Sequence, residues 1–131
     1  MAETICVIDD NREICELIRI TLETRDYKVI EAYDGEKGLN LVKKKRPDLI
    51  ILDLKLPKMN GYEVLNHLQN SAQFCNIPVI VLTVLTKGSR KSDEEWAKSM
   101  GVEDFITKPF DPLDILKRVR KLLDVKQQPK T

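Results

Sequence analysis

Leu49-Ile50-Ile51-Leu52-Asp53 is the stretch that decides the fold. Four apolar residues follow one another without alternation and then stop at a carboxylate. A strand with one wet face alternates apolar with polar residues, so an unbroken run implies a strand covered by helices on both faces. The shape recurs. Ile5-Cys6-Val7-Ile8 stops at Asp9-Asp10, Val79-Ile80-Val81-Leu82 stops at Thr83, and a last short strand over residues 104–107 stops at Lys108. Residues 28–32 form another short strand candidate.

The segments between these runs have helical periodicity. Over residues 11–24, Ile14, Leu17, Ile18 and Leu22 recur on one helical face, with Asn11 or Asp10 placed to cap it. Asp34-Gly35 reads as a turn, and residues 36–45 as a second helix stopped by Pro47. Pro57 and Gly61 punctuate the loop after Asp53, and residues 62–70 make a third helix. A fourth is expected at 93–100, closed by Gly101. The last spans 112–125, with Pro112 suited to its first turn. Five strands alternate with five helices, which is the pattern of a parallel, doubly wound α/β fold. Residues 1–125 form one domain, and the polar tail 126–131 is expected to fray.

The composition suits this reading. The chain has 131 residues, enough for one core, and 42% of them are hydrophobic but only 5% aromatic, so Ile, Leu and Val must fill the interior. With 22 basic and 21 acidic residues the net charge is +1. That balance gives no reason to expect nucleic-acid or membrane-surface binding. Lys43 to Arg46 is a solvated helix end whose cations suit the dipole, and His67 is expected to be exposed and idle. Cys6, Cys15 and Cys75 have neither disulfide nor zinc spacing, and Cys6 is expected in the core. Neither a signal peptide nor a membrane span is apparent, and a cytoplasmic protein is expected.

In open α/β sheets the functional crevice lies outside the carboxyl ends of the strands. The residues there are Asp9, Asp10, Asp53, Thr83 and Lys108. Singly, each has an ordinary reading: a turn or cap aspartate, a strand terminus, a solvated lysine. Five such groups at four strand ends are better explained together. Three adjacent carboxylates need neutralising, and an all-oxygen set without His or Cys suits magnesium rather than zinc or copper. A carboxylate can also attack phosphorus to form an aspartyl phosphate. Lys108 and the Thr83 hydroxyl can then meet the charge on the phosphoryl oxygens.

These residues resemble the receiver domain of two-component response regulators, of the chemotaxis-regulator type, over residues 3–125. Val7-Ile8-Asp9-Asp10-Asn11 looks like the family's opening motif. Leu49-Ile50-Ile51-Leu52-Asp53 with Leu56-Pro57 and Asn60-Gly61 is similar to its phosphoacceptor strand and loop. Pro78-Val79-Ile80-Val81-Leu82-Thr83 and Asp104-Phe105-Ile106-Thr107-Lys108-Pro109-Phe110 fit the fourth and fifth strands. The resemblance implies a flavodoxin-like fold with strand order 2-1-3-4-5. It implies Asp53 as phosphoacceptor and magnesium on Asp10, Asp53 and the Lys55 backbone carbonyl, with Asp9 acting mostly through water. Thr83 and Lys108 would hold the phosphoryl group, and Lys108-Pro109 would be a cis bond. Phe105 stands where the family has an aromatic switch residue; the plain alternative is a core phenylalanine.

By the same resemblance the protein is a regulator that catalyses its own phosphorylation and dephosphorylation, not an enzyme acting on other molecules. Its donor would be a sensor histidine kinase or phosphotransfer protein. A downstream effector would read the face made by the fourth helix, fifth strand and fifth helix, and the chain would be a monomer or weak dimer. Two features depart from the family pattern. Val84 stands where a smaller residue is usual, which could narrow access to Asp53, and the interval from Thr83 to Lys108 is long, with the excess in 85–93. Rival readings fare worse. A cofactor-binding flavodoxin needs a phosphate loop where Asp9 and Asp10 stand. An aspartate-nucleophile phosphatase needs a second acid where Lys55 stands. A phosphorylation-independent interaction module would not need all five site residues.

Overall fold

The computed structural model describes residues 2–84, 95, 98, 99 and 101–127. Five strands, β1 (Thr4–Ile8), β2 (Lys28–Ala32), β3 (Leu49–Asp53), β4 (Val79–Val84) and β5 (Asp104–Lys108), pair in parallel in the order β2-β1-β3-β4-β5. The expected strand order is therefore observed. Four helices are defined among the described residues: α1 (Arg12–Glu23), α2 (Gly35–Lys45), α3 (Gly61–Gln69) and α4 (Pro112–Gln127). The helix expected at 93–100 lies mostly outside the described residues. Within it Glu95, Lys98 and Ser99 are helical, and Gly101 follows with φ +75°, the left-handed conformation of a helix stop.

The unbroken apolar runs are explained by the two cores they feed. Ile5, Val7, Leu49, Ile51, Ile80, Leu82 and Ile106 face Cys15, Ile18 and Leu22 of α1 and Ile115, Leu116, Val119 and Leu123 of α4. Their neighbours Cys6, Ile8, Ile50, Leu52, Val79 and Val81 face Leu39 and Val42 of α2 and Val64, Leu65 and Leu68 of α3. Each fully buried aliphatic side chain contributes about 1.5–3 kcal/mol. Apolar pairing alone would tolerate a one-residue slip of β3, because both faces are greasy. The terminal carboxylate would not: a slip drawing Asp53 inward would desolvate it at a cost of several kcal/mol. The observed register pairs Asp53 with Leu82 and leaves it at the edge.

Local chemistry sets the helix ends. Asn11, not Asp10, caps α1, its side chain accepting from the N–H groups of Glu13 and Ile14. Asp34 caps α2 and Asn60 caps α3. Helix α4 continues through Lys126 and Gln127, two residues past the expected end. Both are good helix formers, and the first breaker in the sequence is Pro129. Cys6 and Cys15 are buried on opposite faces of the sheet, while Cys75, after α3, is partly exposed.

Candidate functional site

The carboxyl edge gathers the five predicted residues from four strands. Asp9 continues the β1 ladder, its N–H donating to Ala32 O (3.1 Å). Its Oδ1 accepts from Asn11 N–H (2.9 Å), a short turn that aims the side chain across the edge. The buried Cys15 thiol donates to the Asp9 carbonyl (3.3 Å). Asp53 closes β3, with Oδ1 accepting from Lys55 N–H (3.1 Å). Asp9 is 0% and Asp53 4% exposed, whereas Asp10 is open to solvent. One carboxylate oxygen from each of the three lies within 4.8 Å of the other two.

Lys108, at the end of β5, answers this charge. Its Nζ is 2.7 Å from Asp9 Oδ2 and 3.2 Å from Asp53 Oδ2. It donates a hydrogen bond to Asp53 and makes its closer ion pair with Asp9 Oδ2. Burial works to lower the Lys108 pKa, and its contacts with the two aspartates outweigh that and raise it. One cation does not balance three carboxylates. Like charges at such separations repel by about 3 kcal/mol per pair at an effective dielectric of about 20. Burial first, and the Asp9 charge second, lift the Asp53 pKa from 3.8 to about 6, against the opposing pull of the Lys55 N–H and Lys108. Near pH 7 Asp53 is thus mostly ionised and poorly solvated, the condition of a usable nucleophile.

Thr83 comes near the end of β4, on the same sheet edge. Thr83 is 1% exposed and its Oγ1, although buried, has no hydrogen-bond partner among the described residues. It pairs with Thr107 across the sheet and follows Leu82, the partner of Asp53. Val84, paired with Lys108, is 43% exposed. Phe105 is half-buried against the α2–α3 core, and the Lys108–Pro109 bond is cis. The Lys55 side chain points to solvent, and His67 is exposed in the last turn of α3. The all-oxygen acidic cluster, in which two buried carboxylates share one ammonium and a third carboxylate lies beside them, fits a hard divalent cation.

Sequence reasoning missed the part played by Asp34 and Gly35. Asp34 is buried, its Oδ1 accepts from Lys37 N–H (2.7 Å), and its Oδ2 faces Lys58 Nζ at 3.9 Å. Gly35 lies directly against the Met59 backbone. The Asp-Gly pair signals a turn, but nothing local to it reveals a neighbour more than twenty residues away.

Residues 5–120 match the response regulator receiver domain family. The chain belongs to that family. The receiver is 42% identical over 119 residues to the DNA-binding dual master transcriptional regulator RpaA of Synechocystis, covering 91% of this chain and 48% of that protein. It is 37% identical over 123 residues to the response regulator GtcR of Aneurinibacillus migulanus, with 94% and 48% covered. The chain thus spans about half the length of the curated relatives it matches. Among solved structures, the signal receiver domain of a histidine kinase from Syntrophus aciditrophicus superposes with a TM-score of 0.87 at 29% identity. It covers 99% of this chain and 96% of that one. This receiver is a regulatory switch of two-component signalling. No helix among its described residues is long and apolar enough to cross a membrane.

Proposed function

We propose that Asp53 is the phosphoacceptor, taking its phosphoryl group from a phosphohistidine on a sensor histidine kinase or phosphotransfer protein in the cytoplasm. The observation that carries this is the convergence of a buried, ionised Asp53 with Asp9, Asp10 and a lysine 3.2 Å away. An Asp53 oxygen forms the new O–P bond as the P–N bond breaks. The bonding pair returns to the imidazole, which leaves as a neutral ring when its other nitrogen carries a proton. Asp9, Asp10, Asp53 and the Lys55 carbonyl would hold magnesium, which supplies positive charge to the phosphoryl oxygens.

Lys108 shifts its ion pair from the Asp53 carboxylate to a phosphoryl oxygen, and the Thr83 hydroxyl donates to another. Dephosphorylation is the attack of water on phosphorus, with Asp53 as leaving group and the water proton passing to solvent. The self-catalysed steps need no further residues. Phosphorylation takes the Asp53 side chain from −1 to roughly −2 at a buried edge. As Thr83 moves toward it, Phe105 takes the vacated space, biasing the face that an effector reads, made by the helix expected at 93–100, β5 and α4.

The test is intact mass after incubation with magnesium and acetyl phosphate, comparing wild type with Asp53→Asn. One added phosphoryl group that needs magnesium and is absent from the variant is the expected result. A phosphorylated kinase domain is the second donor, because the exposed Val84, paired with Lys108, would narrow access to Asp53 for a small one. No adduct from either donor overturns the reading in favour of a phosphorylation-independent interaction module.

A further inference from the structure

The loop joining β3 to α3 carries the Lys55 carbonyl, and its two ends are gripped by backbone. At one end Leu54 is buried in the core and its N–H donates to Leu82 O (3.2 Å). Gly61 N–H donates to Leu54 O (2.9 Å), and a Cβ on Gly61 would overlap the Asp53 carbonyl. At the other end the Met59 carbonyl rests directly on Gly35, where a Cβ would overlap it. The Met59 side chain packs on the α2–α3 core. Between these anchors Lys58 is held at φ +66°, a left-handed conformation that a non-glycine residue keeps only when its surroundings impose it.

The turn before α2 contributes no side-chain atom to the acidic pocket, yet it determines how closely the loop can approach β2 and α2. We infer that Gly35 is a positioning residue for the metal. By letting the turn close onto the Met59 backbone, it fixes the arc 55–58 and the direction of the Lys55 carbonyl, and so sets the affinity for magnesium. The inference rests on the proposed magnesium site. Its physical basis is the stringency of that ion, which demands near-octahedral oxygen ligands at short range and tolerates a misplaced carbonyl poorly. Supports behind a metal ligand commonly matter 10- to 100-fold in affinity. A methyl group on Gly35 must push either the loop or α2 away, and every atom it meets first belongs to Met59.

The test is magnesium chloride titrated calorimetrically into wild type, Gly35→Ala and Gly101→Ala, without a phosphoryl donor, alongside urea unfolding in EDTA. Gly101 also has positive φ, but a Cβ there meets nothing among the described residues, so its variant loses stability without touching the loop. The expected result is binding about tenfold weaker in Gly35→Ala and unchanged in Gly101→Ala. A folded Gly35→Ala that binds within about threefold of wild type overturns the inference and leaves the metal site standing. A wild type that binds no magnesium overturns both. If Gly35→Ala is unfolded in buffer, the titration is repeated in trimethylamine N-oxide, which strengthens burial. A chain still unfolded there overturns the positioning role, because Gly35 would then act through stability alone.

Discussion

Strands β3 and β5 each end in a residue of the acidic pocket, but they are held in opposite ways. All five residues of β3 are buried, between strands on both sides and helices on both faces. Strand β5 is at the edge of the sheet, and only its central Ile106 is buried. Asp53 is therefore presented by a strand that is buried along its whole length. Lys108 and Phe105 are presented by a strand with fewer neighbours to displace. The proposed switch would use this asymmetry, with Asp53 held in place while Lys108 and the surface behind it adjust.

Core truncation should break the comparison most severely. Ile51→Ala on β3 is expected to cost about 4 kcal/mol in urea unfolding, and Phe105→Ala on β5 no more than about half of that. Equal losses would mean β5 is as tightly built as β3.

Lys108→Met should come next. It leaves Asp9 and Asp53 without their shared cation, at an expected cost of about 3 kcal/mol at pH 7. The loss should shrink at pH 5, where Asp53 takes up a proton. A loss that does not depend on pH would show that the lysine acts by packing rather than by charge.

Asp53 itself is expected to oppose stability. Its folded pKa of about 6 lies above the usual 3.8, so the folded chain holds the proton more tightly than the unfolded one. The Asp53 contribution to stability is then greatest below pH 4, falls by about 2 kcal/mol as the pH rises to 6, and levels off above that. Asp53→Asn should abolish this slope and be the more stable protein at pH 7 in EDTA. A stability difference between Asp53→Asn and wild type that does not grow from pH 4 to pH 6 would contradict the assignment.

The smallest effect is expected at Arg118, which bridges Asp104 of β5 and Asp114 of α4 on a partly exposed surface. Arg118→Ala should cost less than about 1 kcal/mol in the same unfolding assay. A larger value would mean that β5 depends on this bridge to stay docked.

Much of this was legible because the fold writes itself in runs. Two-sided burial makes strands such as Leu49–Asp53 continuous, and the polar residue ending each run marks the edge where chemistry can occur. Asp9, Asp53, Thr83 and Lys108 could be assembled without knowing any distance. The division of labour among them could not. That Lys108 lies nearer Asp9 than Asp53, and that Thr83 Oγ1 has no partner among the described residues, depend on side-chain geometry at contacts distant in sequence. Gly35 was legible as a turn but not as the seat of Met59. Close approach of two backbones leaves no pattern in either segment. The end of α4 was placed two residues short because a polar tail and a solvated helix end have the same composition.

The three thiols offer a practical consequence. Burial pushes Cys6 and Cys15 up to about 12, and both are closed to solvent, so neither presents a thiolate at neutral pH. Cys75 is partly exposed and lies between α3 and β4, away from the acidic edge. A maleimide dye should therefore attach at one place in the native protein and at three once the chain opens. The unmodified sequence is its own reporter, with no cysteine to remove or introduce.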